Sequence, residues 1–138
     1  MNDSNISKNY DLGLLLLRIA VGFVFILAGW GKLNGIEGVQ GMFGDLGIPM
    51  AGIMAWVVAL TEFIGGLMVL VGAKIRIPNL LLAFIMVVAI FTTKIGDFDP
   101  TGAGERVDIL MLLVTLSLAF MGSGSYSVDA KFLNKGSD

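Results

Sequence analysis

"LLLLRIAVGFVFILAGWGK", Leu14 to Lys32, is apolar along almost its whole length, closes on Lys32 and carries a single charge in its interior, Arg18. A guanidinium keeps its proton, and placing it at the centre of a lipid layer costs at least about 2.5 to 3.5 kcal/mol on insertion scales. If this stretch crosses a membrane as a helix, Arg18 needs a partner from the protein itself.

The surrounding chain points to a bilayer. Of its 138 residues 56% are hydrophobic and 14% charged, too oily for an ordinary soluble domain. A net charge of -2 without a basic block leaves no electrostatic footprint for a nucleic-acid partner. There is no Cys and no His, so thiolate nucleophiles, disulfides, imidazole ligands and any Cys/His metal or haem site are excluded. Electron transfer would have to use a bound cofactor or another subunit. The eight Met residues read as packing filler rather than ligands for a soft metal. The polar start "MNDSNISKNYDLG" lacks a basic n-region, so the first hydrophobic segment is expected to be retained.

Crossing about 30 Å of hydrocarbon takes close to twenty helical residues, and four runs approach that length: 12–31, 51–73, 78–95 and 105–122. Short connections, "KIRIP" and "GDFDPTGAG", make consecutive helices antiparallel neighbours. The expected fold is therefore all-α, a single domain forming an up-down four-helix transmembrane bundle. Lys8, Lys74, Arg76, Lys131 and Lys135 fall on one side, Lys32, Lys94 and Arg106 on the other, which favours cytoplasmic N and C termini. Tyr10 and Tyr126 mark one interface, Trp30 and Trp56 the other. Between the first two spans, Ile36, Val39, Phe43 and Leu46 recur at helical spacing, predicting a short amphipathic segment that serves as a lid or a plain linker.

Arg18, Gly22, Phe25, Gly29 and Lys32 recur at spacings of four and three and share one face of the first span, a face that should point inward. The second span holds one acid, Glu62, followed by Gly65 and Gly66. With the cytoplasmic ends of the two spans level, Arg18 and Glu62 differ in depth by about 7 Å, within reach of an extended arginine. We expect them to pair, either as a helix lock or as the frame of a pocket for a polar head or a proton. A second polar cluster is expected at the far end, where Lys32 and Lys94 close two spans and Glu105, Arg106 and Asp108 open the fourth; it reads as helix capping or as a gate for an anion or a quinone carbonyl. Asp97, Asp99, Thr101, Gly102, Glu105 and Asp108 approximate the ligand spacing of an EF-hand loop, but Pro100, Gly104 and an Asp at the last position favour a polar turn.

The chain resembles the DoxX family of small four-span membrane proteins from Leu12 to Asp129. The resemblance rests on Arg18 with Gly22, "GWGK" at 29–32, "ALTEFIGGLMVLVG" around Glu62, "GAGE" ending at Glu105 and the closing "GSGSYSVD" at 122–129. It implies a cytoplasmic-membrane protein from a family tied to quinone-linked oxidation and to membrane complexes handling oxidative or thiol stress. The chain departs from the pattern at Ala28 and Lys94, where many members carry His, and at Arg106, where an aromatic is common.

On these grounds the expected function is an integral membrane subunit of a quinone-associated oxidoreductase or redox-stress complex. Arg18 and Glu62 are its expected catalytic pair, Trp30, Lys32, Lys94, Glu105 and Asp108 its further ligand-binding residues, and a quinone its cofactor. The expected partners are the lipid bilayer, a soluble redox enzyme subunit and a second copy docking through Ala55 and Ala59. The alternative is a non-enzymatic scaffold, chaperone or small-molecule binder or transporter.

Overall fold

The structure, a computed structural model, describes residues 2–93, 99 and 101–133. Five α-helices follow one another: α1 (Asp3–Asn34), α2 (Ile36–Asp45), α3 (Ala51–Val71), α4 (Arg76–Thr93) and α5 (Ala103–Met121), with a single π-helical turn at Asp129–Leu133. No strand occurs among the described residues. Two of the helices, α1 and α3, are long and apolar enough to cross a membrane; α4 is apolar and somewhat shorter.

Helix bounds follow local chemistry. The Asn2 side chain caps α1 at the N–H of Ser4, and Asp3 complements the dipole in the first turn. The helix therefore starts nine residues before the expected position 12, carrying the polar "DSNISKNYD" with it. Gly72, at φ 77°, ends α3 in the left-handed region, and the Ala73 N–H closes back on the Met68 carbonyl. The fourth helix begins two residues before Pro78, which sits in its first turn, where the missing N–H is not needed. The expected amphipathic segment is α2: Phe43 is buried, Ile36 and Val39 half-buried on the same face, and the Gln40 amide donates to the Gly52 carbonyl at 3.0 Å, tying α2 to the start of α3.

Helix α1 packs antiparallel on α3, α4 on both α3 and α5, and α5 on α1. The α1 face foreseen from spacing is the inner one: Arg18, Gly22, Phe25 and Gly29 are buried. At the α1–α3 crossing the backbones nearly touch. A Cβ on Gly29 would lie 2.5 Å from the Phe63 backbone nitrogen, and one on Gly66 would lie 2.8 Å from that of Ile26. The outward surface is the reverse of a soluble protein's, with Phe23, Phe84, Phe91 and Phe120 all exposed, Phe120 by 80%. Ala55 and Ala59 are wholly buried within the chain, so the small-residue stripe expected to dock a second copy is already occupied by the protein's own packing.

Replacing Gly29 or Gly66 by Ala should separate α1 from α3 and cost about 1 to 3 kcal/mol, the usual penalty of overpacking. The same change at Gly13, where an added Cβ meets nothing within 4 Å, should leave the melting temperature in detergent unchanged or slightly raised.

Candidate functional site

The two buried charges do not meet. Lys32 Nζ donates to Glu62 Oε2 at 2.7 Å, the sole ion pair among the described residues, and Arg18 donates from Nη2 to the Tyr126 carbonyl. The expected Arg18–Glu62 pair is thus replaced by two separate centres. Register explains the change. Arg18 lies against Gly72, the cap of α3, because α1 begins early and overhangs the end of α3. Glu62 is ten positions back along α3, about 15 Å away along the axis. That is beyond a guanidinium at Arg18 and matches the level of Lys32.

The first centre is Lys32–Glu62. The Glu62 side chain is 3% exposed and that of Lys32 26%, so the carboxylate is enclosed while the ammonium reaches toward the helix end. Next in sequence to Glu62, Phe63 packs its ring 5.9 Å from that of Trp30 at 37°, and Trp30, two residues before Lys32 and so on another face of α1, is half-exposed. A buried acid with a cation at its rim can bind a polar head, hold a proton or lock α1 to α3. Of the other residues expected here, Lys94 lies outside the described residues. Glu105 and Asp108 stand in the opening turns of α5, Glu105 folded back against Gly102, and no described contact brings either to the Lys32–Glu62 pair.

The second centre closes the opposite end of the protein, with "GSGSYSVD" as its strap. The Asp11 carboxylate accepts from the Ser125 hydroxyl at 2.5 Å and from the Ser125 N–H at 3.2 Å. Asp129 Oδ1 accepts from the Lys74 N–H at 2.8 Å and Oδ2 from the Ser123 hydroxyl at 2.7 Å, while the Asp129 N–H donates to the Gly72 carbonyl at 3.1 Å. Asp129 therefore caps the entry to α4 from a distant part of the chain. Burial alone would push its carboxyl up. The hydrogen bonds from Lys74, Ser123 and Ile75, with the Arg18 charge nearby, outweigh burial and hold it below the ordinary carboxylate range. Arg18 is wholly buried; its Nε and Nη1, and Oδ1 of the buried Asn79, find no hydrogen-bond partner among the described residues.

Arg18, expected beside Glu62, instead holds this strap through the Tyr126 carbonyl. Asp11, Ser123, Ser125 and Asp129 were missed as a group because the contacts that tie them to the helices, Asp11 with Ser125 and Asp129 with Lys74, join residues 114 and 55 positions apart in the chain. Asn79 left a legible signal, a lone amide within the apolar "IPNLLLAF". At the start of α5, Asp99 accepts from both the N–H and the hydroxyl of Thr101 at 2.9 and 2.6 Å, a local turn, and these bonds lower its carboxyl. The EF-hand-like spacing is incomplete in view, since Asp97 lies outside the described residues, and no three acidic side chains among those described converge on a metal position.

Two tests separate the centres. Lys32→Met alone should cost about 3 to 5 kcal/mol by leaving a buried carboxylate unpaired, and the double change with Glu62→Leu should recover most of it, as read from thermal melts. For the strap the folded Asp129 value lies below the unfolded one, so its contribution is present above about pH 3.9 and is lost as pH falls through the folded value. Hydrogen exchange across 122–129 should accelerate in that acid window, and Asp129→Asn should be fast at neutral pH with the acid step gone.

The DoxX family model matches residues 13–95. The chain is 37% identical over 130 residues to "Putative oxidoreductase CatD" of Bacillus subtilis, covering 94% of this chain and 93% of that protein. It is 36% identical to "Inner membrane protein YqjF" of Escherichia coli, covering 93% and 97%. It is 30% identical to "Uncharacterized membrane protein Rv3486" of Mycobacterium tuberculosis, covering 86% and 80%. No solved structure matches.

Proposed function

This chain belongs to the DoxX family of membrane proteins, and we propose that it serves a redox-linked process in the cytoplasmic membrane by holding the polar head of a small lipophilic ligand, a quinone, at Lys32–Glu62. In this reading α1, α3, α4 and α5 all cross the bilayer as an up-down bundle, with both termini on the cytoplasmic side beside Lys8, Lys74, Arg76 and Lys131. The contact between Asp11 and Ser125, which brings the two ends of the chain to one end of the protein, supports that topology.

One observation carries the ligand assignment: a carboxylate enclosed among helices is paired with a lysine that still reaches the surface. The donor set suits a quinone head. Lys32 offers an ammonium to a carbonyl oxygen and Glu62 is placed to hold or pass a proton. A bound quinone supplies the electron chemistry that a chain without Cys or His lacks. The name carried by the Bacillus subtilis relative points in the same direction.

A second reading, a non-enzymatic scaffold for a soluble redox partner, draws support from Arg18, since one of the two intramembrane charges is engaged in holding the carboxy-terminal strap. Quinone content of the lipid extract distinguishes the two. Protein purified in native lipid should carry quinone, and Glu62→Gln and Lys32→Met should each reduce retention by about tenfold, the loss of one hydrogen bond to a charged group. An extract without quinone, or retention by both variants undiminished from that of the unaltered protein, favours the scaffold.

A further inference from the structure

Two hollows adjoin on the α4 side of the molecule, and neither is lined by Lys32 or Glu62. A cleft of about 350 Å³ opens between the start of α4 and the strap, lined by Lys74, Arg76, Ser123 and Asp129 among others. An apolar groove of about 220 Å³ runs between α3 and α4, lined by Leu60, Thr61, Ile64, Met68, Pro78 and Leu81. Ile77 lines both, so the polar hollow and the apolar one adjoin there. From Met68 to Leu60 the groove follows α3 for about 12 Å.

The charge in the cleft is positive. Asp129 has both oxygens committed, to the Lys74 N–H and the Ser123 hydroxyl, and the buried Arg18 stands near it. Neither Lys74 nor Arg76 has a carboxylate partner within ion-pair distance among the described residues. Arg76 is steadied by its Nε donating to the Ala119 carbonyl at 3.1 Å, which leaves its terminal nitrogens for another acceptor. The cations also sit at the positive end of α4, an eighteen-residue helix.

We propose that this cleft and groove together bind one anionic phospholipid, its phosphate beside Lys74 and Arg76 and one acyl chain along the α3–α4 groove. A free phosphate would use the cleft alone; the shared wall at Ile77 is what assigns the site to a lipid. The position, at the strap end near Tyr10 and Tyr126, is where a headgroup layer would lie.

The test adds phosphatidylglycerol, phosphatidylcholine with the same chains, or inorganic phosphate to the detergent-purified full chain and reads thermal melts and native mass spectra. Phosphatidylglycerol should raise the melting temperature and stay bound at one per chain, while the other two should do neither. The double variant Lys74→Gln/Arg76→Gln should weaken phosphatidylglycerol roughly thirtyfold, the combined effect of two basic contacts. Lys74→Gln alone, at an exposed side chain, gives a smaller loss in the same direction should the double variant fold poorly. Thr61→Phe, which fills the groove and leaves the charges intact, should also weaken lipid retention. Equal shifts by the two lipids, a shift reproduced by phosphate alone, or undiminished lipid binding by the Lys74 variant would overturn the assignment. None of these outcomes depends on quinone at Lys32–Glu62.

Discussion

The close approach of α1 to α3 is the contact on which the other features depend. Backbone meets backbone at Gly29 and Gly66, and once two helices are packed at that distance their relative sliding is fixed to within a fraction of a turn. That register decides the company of every charge in the interior. It sets Lys32 beside Glu62 and carries Arg18 to the end of α3, where Gly72 leaves room for the guanidinium.

Apolar packing in a bilayer distinguishes weakly between registers, because lipid tails are as apolar as leucine. Polar contacts therefore carry much of the specificity, and here they lie at the two ends of the α1–α3 contact. At one end a lysine and a glutamate join the two helices directly. At the other, Arg18 and Asp11 hold a strap that also caps α4, so a single short segment ties together α1, the end of α3 and the start of α4. A register slip of one turn would break both ends at once.

The two centres divide the chemistry. The strap end has its carboxylates Asp11 and Asp129 committed to neighbouring hydroxyl and N–H groups, and its cations Lys74 and Arg76 are exposed. The Lys32–Glu62 end keeps a partly exposed ammonium on an enclosed carboxylate. An enclosed acid beside a reachable cation suits reversible contact with a polar head, whereas interlocking hydrogen bonds suit permanence. Membership of the DoxX family fits the whole arrangement, since the matched region 13–95 contains both members of the ion pair and Arg18.

Much of the helical layout was legible in the residues alone. Twenty-residue apolar runs broken by Gly and Pro have one economical backbone solution in lipid, and spacings of three and four place Arg18, Gly22, Phe25, Gly29 and Lys32 on one inward face. The alternation at Ile36, Val39 and Phe43 likewise announced α2. Periodicity says which face a residue occupies but not how far one helix is shifted along its neighbour. Taking the expected span ends as level put Arg18 within reach of Glu62, whereas the Asn2-capped extension of α1 and the glycine contacts moved the two apart by about 15 Å. The strap was equally out of reach, because Asp11 and Ser125 meet across 114 positions and nothing local in either segment names the other. Composition and spacing determined that the charges would be inside; only the packed register decided which charge each of them would find.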